Sequence, residues 1–98
     1  MGFGADGGTI GNTGQVTVSA AATALITANA TQSRVQLTIT NTSTVASAVA
    51  MYVGTTSGVT TSTGHYIPPA SSWTTTYRGP LWIIGAAGTA TYFEEVNA

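Results

Sequence analysis

Apolar and polar residues alternate with a period of two through much of the chain after residue 15, the mark of strands with one dry face. The clearest run is Arg34 to Thr40, where Val35, Leu37 and Ile39 alternate with Gln36, Thr38 and Thr40. Ala48 to Val53 repeats it, with Val49, Met51 and Val53 on one side, Ala50 and Tyr52 on the other, and Gly54 as the stop. Val16 and Val18 flank Thr17 in a first strand. Ser72 to Tyr77 sets Trp73, Thr75 and Tyr77 on one face, and Thr89 to Val96 is a last strand that ends near Glu94-Glu95. Leu81-Trp82-Ile83-Ile84 breaks the alternation by being apolar on both faces. One face serves the core, and the other needs covering by a second layer or another chain.

Turn chemistry separates these runs. Asn41-Thr42-Ser43 offers short side chains that bond nearby backbone. Pro68-Pro69 donates nothing to a ladder and marks a strand edge or corner. Arg78-Gly79-Pro80 and Gly85-Ala86-Ala87-Gly88 turn the chain again, and residues 54–64 read as a polar loop with a short strand around Val59. Ser19 to Ala30 supports two readings. Ala21, Ala24, Leu25 and Ala28 have helical spacing with Ser19 as a cap, whereas Thr23, Thr27 and the β surroundings favour a strand through Ala24-Leu25-Ile26. Residues 1–14 hold Gly2, Gly4, Gly7, Gly8, Gly11 and Gly14, whose backbone entropy opposes an ordered element. They are read as a flexible arm, either without a role or ordered on a neighbouring subunit. Residues 15–98 then form one domain. Seven or eight strands at spacings of about ten residues predict an all-β antiparallel sandwich or jelly-roll-like barrel.

Composition narrows the chemistry. Of 98 residues only 5% are charged, against roughly a quarter in ordinary soluble domains. Lys and Cys are absent, and Arg34, Arg78, Asp6, Glu94, Glu95 and the single His65 are the whole ionisable set apart from tyrosines and termini. Two arginines make no phosphate-binding cluster, so nucleic acid is not an expected partner. No apolar run approaches the ~18 residues of a membrane helix, so no membrane partner is expected. Met1 to Asp6 lacks the basic and apolar parts of a signal peptide, so the chain is expected to be made and used without export by the usual route. Without cysteine there is no disulfide or thiolate chemistry. A net charge of −1 on a chain that is 43% apolar suggests a surface largely covered in the working state; the plainer reading is a surface of uncharged Thr and Ser.

Candidate catalytic sets are thin. A serine triad would need His65 with Glu94 or Glu95, and a zinc site would need the same three residues. A glycosidase pair fails because adjacent Glu94 and Glu95 point to opposite strand faces, and the pair reads as a solvated strand end. No Gly-Lys-Ser/Thr accompanies the glycines, so there is no phosphate loop. No catalytic residue, metal or cofactor is expected. Asn29-Ala30-Thr31 and Asn41-Thr42-Ser43 match the glycosylation pattern, but without an export signal they are read as chance. Tyr52, Trp73, Tyr77, Trp82 and Tyr92 are either core and interface anchors or the lining of a sugar-binding face. Arg34 and Arg78, at strand ends, serve solubility at a rim or a specific contact between subunits.

The order of several segments then adds a resemblance. Arg34-Val35-Gln36-Leu37-Thr38-Ile39-Thr40-Asn41-Thr42-Ser43 is followed by Met51-Tyr52-Val53-Gly54, Val59-Thr60-Thr61-Ser62-Thr63-Gly64 and Ile67-Pro68-Pro69. Tyr77-Arg78-Gly79-Pro80-Leu81-Trp82-Ile83 and Gly88-Thr89-Ala90-Thr91 complete it. Over residues 15–96 this resembles small β-sandwich decoration, or cement, proteins of tailed bacteriophage capsids; head-fibre and tail-associated phage proteins are similar. The motifs are strand and turn signatures, and Pro69-Ala70 stands where Pro-Gly is expected. The resemblance implies a non-enzymatic virion protein on the capsid exterior, assembled in the host cytoplasm and bound in many copies to the major capsid protein. It further implies a homo-oligomer, with a trimer expected, that stabilises the mature head. The alternative is a fibre or tail protein that binds carbohydrate or a receptor. Candidate interface residues are Arg34, Tyr52, Trp73, Arg78, Trp82 and Ile84.

Overall fold

The computed structural model describes residues 9–26, 34–44, 46 and 49–97. Within them lie β1 (Thr9–Thr17), β2 (Thr23–Ile26), β3 (Arg34–Asn41), β4 (Met51–Gly54), β5 (His65–Ile67), β6 (Ser72–Thr75), β7 (Leu81–Gly85) and β8 (Thr89–Asn97). They form two four-stranded antiparallel sheets, in the orders β1-β8-β3-β6 and β2-β7-β4-β5. Pairing follows a simple rule: β1 with β8, β2 with β7, β3 with β6, and β4 with β5. The chain is therefore one long antiparallel hairpin with the β4–β5 connection at its tip. It is wound so that successive pairs fall in alternate sheets, which is the jelly-roll form of the β-sandwich.

The inward half of each alternating run makes the core. Leu37 and Ile39 of β3, Met51 and Val53 of β4, Ile67 of β5, Leu81 and Ile83 of β7 and Ala90 of β8 pack together, with Val18 and Leu25. Each large side chain contributes about 1.5–3 kcal/mol of transfer free energy. This matches the dry face expected for these strands, with one exception in β3 described below.

Three local readings change, and one left open is settled. First, residues 9–14 belong to β1 and pair with β8 from Asn97 to Tyr92, so any arm is shorter than residues 1–14; residues 1–8 lie outside the described residues. Their glycines have a packing reason. A Cβ on Gly14 would lie 2.5 Å from the Tyr92 hydroxyl, and one on Gly11 2.7 Å from the Phe93 ring. The aromatic rings of β8 occupy the space those side chains would need. Second, Ser19 to Ala21 makes a bend and not a helical turn, and Thr23–Ile26 is strand; residues 27–30 are outside the described set. Third, His65–Ile67 is a strand that the alternation did not announce, because three residues are too few to display a period. Fourth, Val59 is not in a strand. It is buried and plugs the loop from within, where a Cβ on Gly54 would stand 2.5 Å from it and one on Gly64 2.9 Å. Turn hydrogen bonds from Val59 to Thr56 and from Thr63 and Gly64 to Thr60 fix that loop around the plug.

Asn41 ends β3 as a fully buried hub. Its Nδ2 donates to the carbonyls of Val49 (2.8 Å) and Ile67 (3.0 Å), and its Oδ1 accepts from the Ser43 backbone N–H (3.0 Å). The turn residue thus ties together the ends of three segments. At the next corner Ala70 has φ of 59°, the left-handed conformation that an L side chain adopts at a cost of about 1–2 kcal/mol. This is the position where Pro-Gly was expected. Ala70→Gly relieves that strain, offset by about 0.4–1 kcal/mol of extra unfolded-state entropy. A net stabilisation of about 0–1 kcal/mol in urea unfolding is the expected outcome; a loss above ~1 kcal/mol would contradict the strain.

Candidate functional site

The two outer faces of the sandwich differ in kind. On the β1-β8-β3-β6 sheet, register sets Thr74, Thr38, Phe93 and Thr13 in one outward row and Ser72, Thr40, Thr91 and Gln15 in the next. Hydroxyls bond across it, Thr38 to Thr74 at 2.9 Å and Thr40 to Ser72 at 2.7 Å. This face offers water many partners.

The β2-β7-β4-β5 sheet contains no Asp, Glu, Lys or Arg in any of its strands. Because Leu81 and Ile83 of β7 point inward, Trp82 and Ile84 point outward. Register sets Ile84 beside Tyr52 and Tyr52 beside Tyr66, with Ala24, Trp82 and Gly54 in the next row. The Tyr52 and Tyr66 rings lie 5.5 Å apart, inclined at 38°. Tyr66 is 50% exposed, and Tyr52, Trp82 and Ile84 are half-buried. A solvated antiparallel sheet normally presents polar residues outward. Here the outward set is aromatic and aliphatic, the composition of a surface that packs against something.

Three of the six candidate interface residues, Tyr52, Trp82 and Ile84, therefore converge on one face. The other three do not join them. Arg78 is exposed in the β6–β7 connection. Trp73 lies on the inner side of β6, packed against the core, with the imidazole of His65 stacked on it at 4.5 Å and 31°. Tyr66, exposed beside Tyr52, completes the apolar patch and was not among the candidates.

Arg34 corrects the sequence reading most sharply. It was assigned to a surface contact, but it is fully buried. A β-bulge between Arg34 and Gln36 inserts Val35 as an extra residue against β8, so Arg34 lies opposite inward-facing Val96. Its Nε donates to Glu94 Oε2 at 3.0 Å, and its Nη1 donates to the carbonyls of Tyr77 (2.8 Å) and Gly79 (3.2 Å). Glu94, read as a solvated strand end, is 4% exposed. Its inward aim follows from the alternation of β8 after Ala90. This interior pair clamps the β6–β7 connection where the chain crosses between sheets. It also commits the Glu94 carboxylate, leaving it unavailable to orient His65. Among the described residues no group of three His, Asp or Glu side chains is placed to hold a metal ion.

A concave site lies at the open side of the sandwich, where β5 and β6 are edge strands. A cleft of about 340 Å³ opens there, with Val53 and Leu81 as its floor and His65, Trp73, Tyr77 and Thr63 around it.

The chain matches no family model, and no curated protein matches it. Among solved structures it is similar to a protein from the work "Bacillus endospore appendages form a novel family of disulfide-linked pili". Identity is 20% with a TM-score of 0.57, over 91% of this chain and 84% of that one. At that identity the likeness extends to the fold.

Proposed function

We propose that this protein is a non-catalytic structural subunit that works by packing the uncharged aromatic face of its β2-β7-β4-β5 sheet against other protein. The observation that carries the reading is the asymmetry of the sandwich, with hydroxyls on one outer face and Tyr52, Tyr66, Trp82 and Ile84 on the other. The finer reading is a capsid decoration protein of a tailed bacteriophage. It binds the major capsid protein on the outside of the head in many copies, as a homotrimer, with the hydroxyl face toward solvent. Support for the phage setting is the ordered run of strand and turn segments over residues 15–96. Jelly rolls recur in viral capsid proteins, an analogy of fold only. The pilus protein of similar fold is also a subunit of a repetitive assembly. Its disulfide linkage has no counterpart here, because this chain has no cysteine. Copies would be held by buried apolar area repeated over a lattice, so that weak single contacts add to firm attachment.

The test is copy number in purified particles, by quantitative mass spectrometry against the major capsid protein. Hundreds of copies per particle are expected. A few to some dozens would move the protein to a fibre or tail, and absence from particles would overturn the virion reading.

A further inference from the structure

The cleft between β5 and β6 meets the packing face at Gly54 but presents other side chains, and its lining specifies a ligand class. We infer that it is a binding site for a neutral saccharide of one or two units. Its volume of about 340 Å³ lies at the small end of the range for ligand pockets. The floor is apolar, from Val53 and Leu81, and His65, Trp73 and Tyr77 stand around it. Flat aromatic surfaces suit the C–H faces of a pyranose, while Thr55, Thr63 and Thr75 bring hydroxyls to the rim. The cleft has no Asp, Glu, Lys or Arg in its lining, so nothing there would pair with a phosphate or carboxylate. Ring nitrogens of His65, the Trp73 indole N–H and the Tyr77 hydroxyl make no hydrogen bond among the described residues, which leaves them for a ligand's hydroxyls.

The site is also preformed. Thr63 stands on the loop that Val59 plugs, its own hydroxyl accepting from the Thr60 backbone N–H at 3.0 Å. Tyr77 is anchored through its carbonyl by buried Arg34, and its backbone N–H donates to Thr75 at 3.0 Å. Rigid walls lower the ordering cost of binding. The depression on the hydroxyl face, also about 340 Å³, is the weaker alternative. Its one exposed ring is Phe93, against the three aromatic side chains that line the cleft.

With so few polar groups, dissociation constants on the order of millimolar are expected. The experiment is saturation-transfer difference NMR on the intact protein, which tolerates an assembled state. The probes are D-glucose, D-galactose, D-mannose, N-acetyl-D-glucosamine, lactose and maltose, with glucose 6-phosphate as the charged control. At least one neutral sugar is expected to bind, with affinity lowered about tenfold or more by Tyr77→Ala and by His65→Ala, and unchanged by Phe93→Ala. No transfer from any neutral sugar at tens of millimolar, preference for glucose 6-phosphate, or loss of binding only with Phe93→Ala would each overturn the site. Circular dichroism establishes that each variant is folded. Should His65→Ala fail to fold, exposed Tyr77 alone decides. The outcome is independent of the packing proposal, which uses another face.

Discussion

Replacing Arg34 by methionine lowers the unfolding free energy by about 3–5 kcal/mol, the usual effect of removing one partner of a buried ion pair. The loss has two parts. Glu94, 4% exposed, loses the guanidinium it is paired with, and the carbonyls of Tyr77 and Gly79 lose their donor where the chain crosses between the sheets. For a domain of this size that is a fall in Tm on the order of 15–30 °C. Glu94→Leu costs a similar amount, because it strands the guanidinium. The double variant Arg34→Met/Glu94→Leu is expected to be more stable than either single one, since the pair itself is dearly desolvated. Arg34 Nη2 is buried with no hydrogen-bond partner among the described residues, which weakens the case for a net gain from the pair further. Thermal and urea unfolding of the three variants measures the coupling. Single losses under ~1 kcal/mol, or strictly additive ones, would mean that the clamp is not closed in solution.

That pair also marks where reading the chain met its limit. Alternation in β3 and β4 was legible because Leu37 and Ile39, and Met51 and Val53, all face one core. The both-sided apolarity of Leu81-Trp82-Ile83-Ile84 likewise announced an outer face that needs a cover, and that face is present. Arg34 was misplaced because period-two counting assumes an unbroken ladder, and one bulged residue reverses every facing beyond it. Glu94 was misplaced for another reason. Its neighbour Glu95 invited reading the two as one solvated end, although the period from Ala90 and Tyr92 already aimed Glu94 inward. A carboxylate on an inward position, in a chain with five charged side chains, was the available signal for a buried pair. The start of β1 was hidden by its glycines, which are explained only by Tyr92 and Phe93 across the ladder. The pairing of each strand with its counterpart at the other end of the hairpin is a long-range property that no local pattern carries.

Ile84→Lys abolishes assembly while leaving the sandwich folded. Ile84 lies on β7, an inner strand of its sheet, directly beside Tyr52, so it sits within the aromatic patch and not at its rim. An unpaired ammonium buried there costs several kcal/mol, which weakens each contact by a factor on the order of 10²–10³. In the isolated subunit the same position is half-buried, and the long lysine stem can carry its charge to water. Stability therefore changes by only about 1 kcal/mol. Thr74→Lys on the hydroxyl face is the matched control: exposed, on an edge strand, adding the same charge. Light scattering behind size exclusion distinguishes the two. Loss of assembly with Ile84→Lys and retention with Thr74→Lys assigns the contact to the aromatic face. The reverse pattern would turn the molecule over, putting the hydroxyl face against its partner and Tyr52, Tyr66 and Trp82 toward solvent. Equal loss in both would make the response one of added net charge, and the facial asymmetry would then say nothing about assembly.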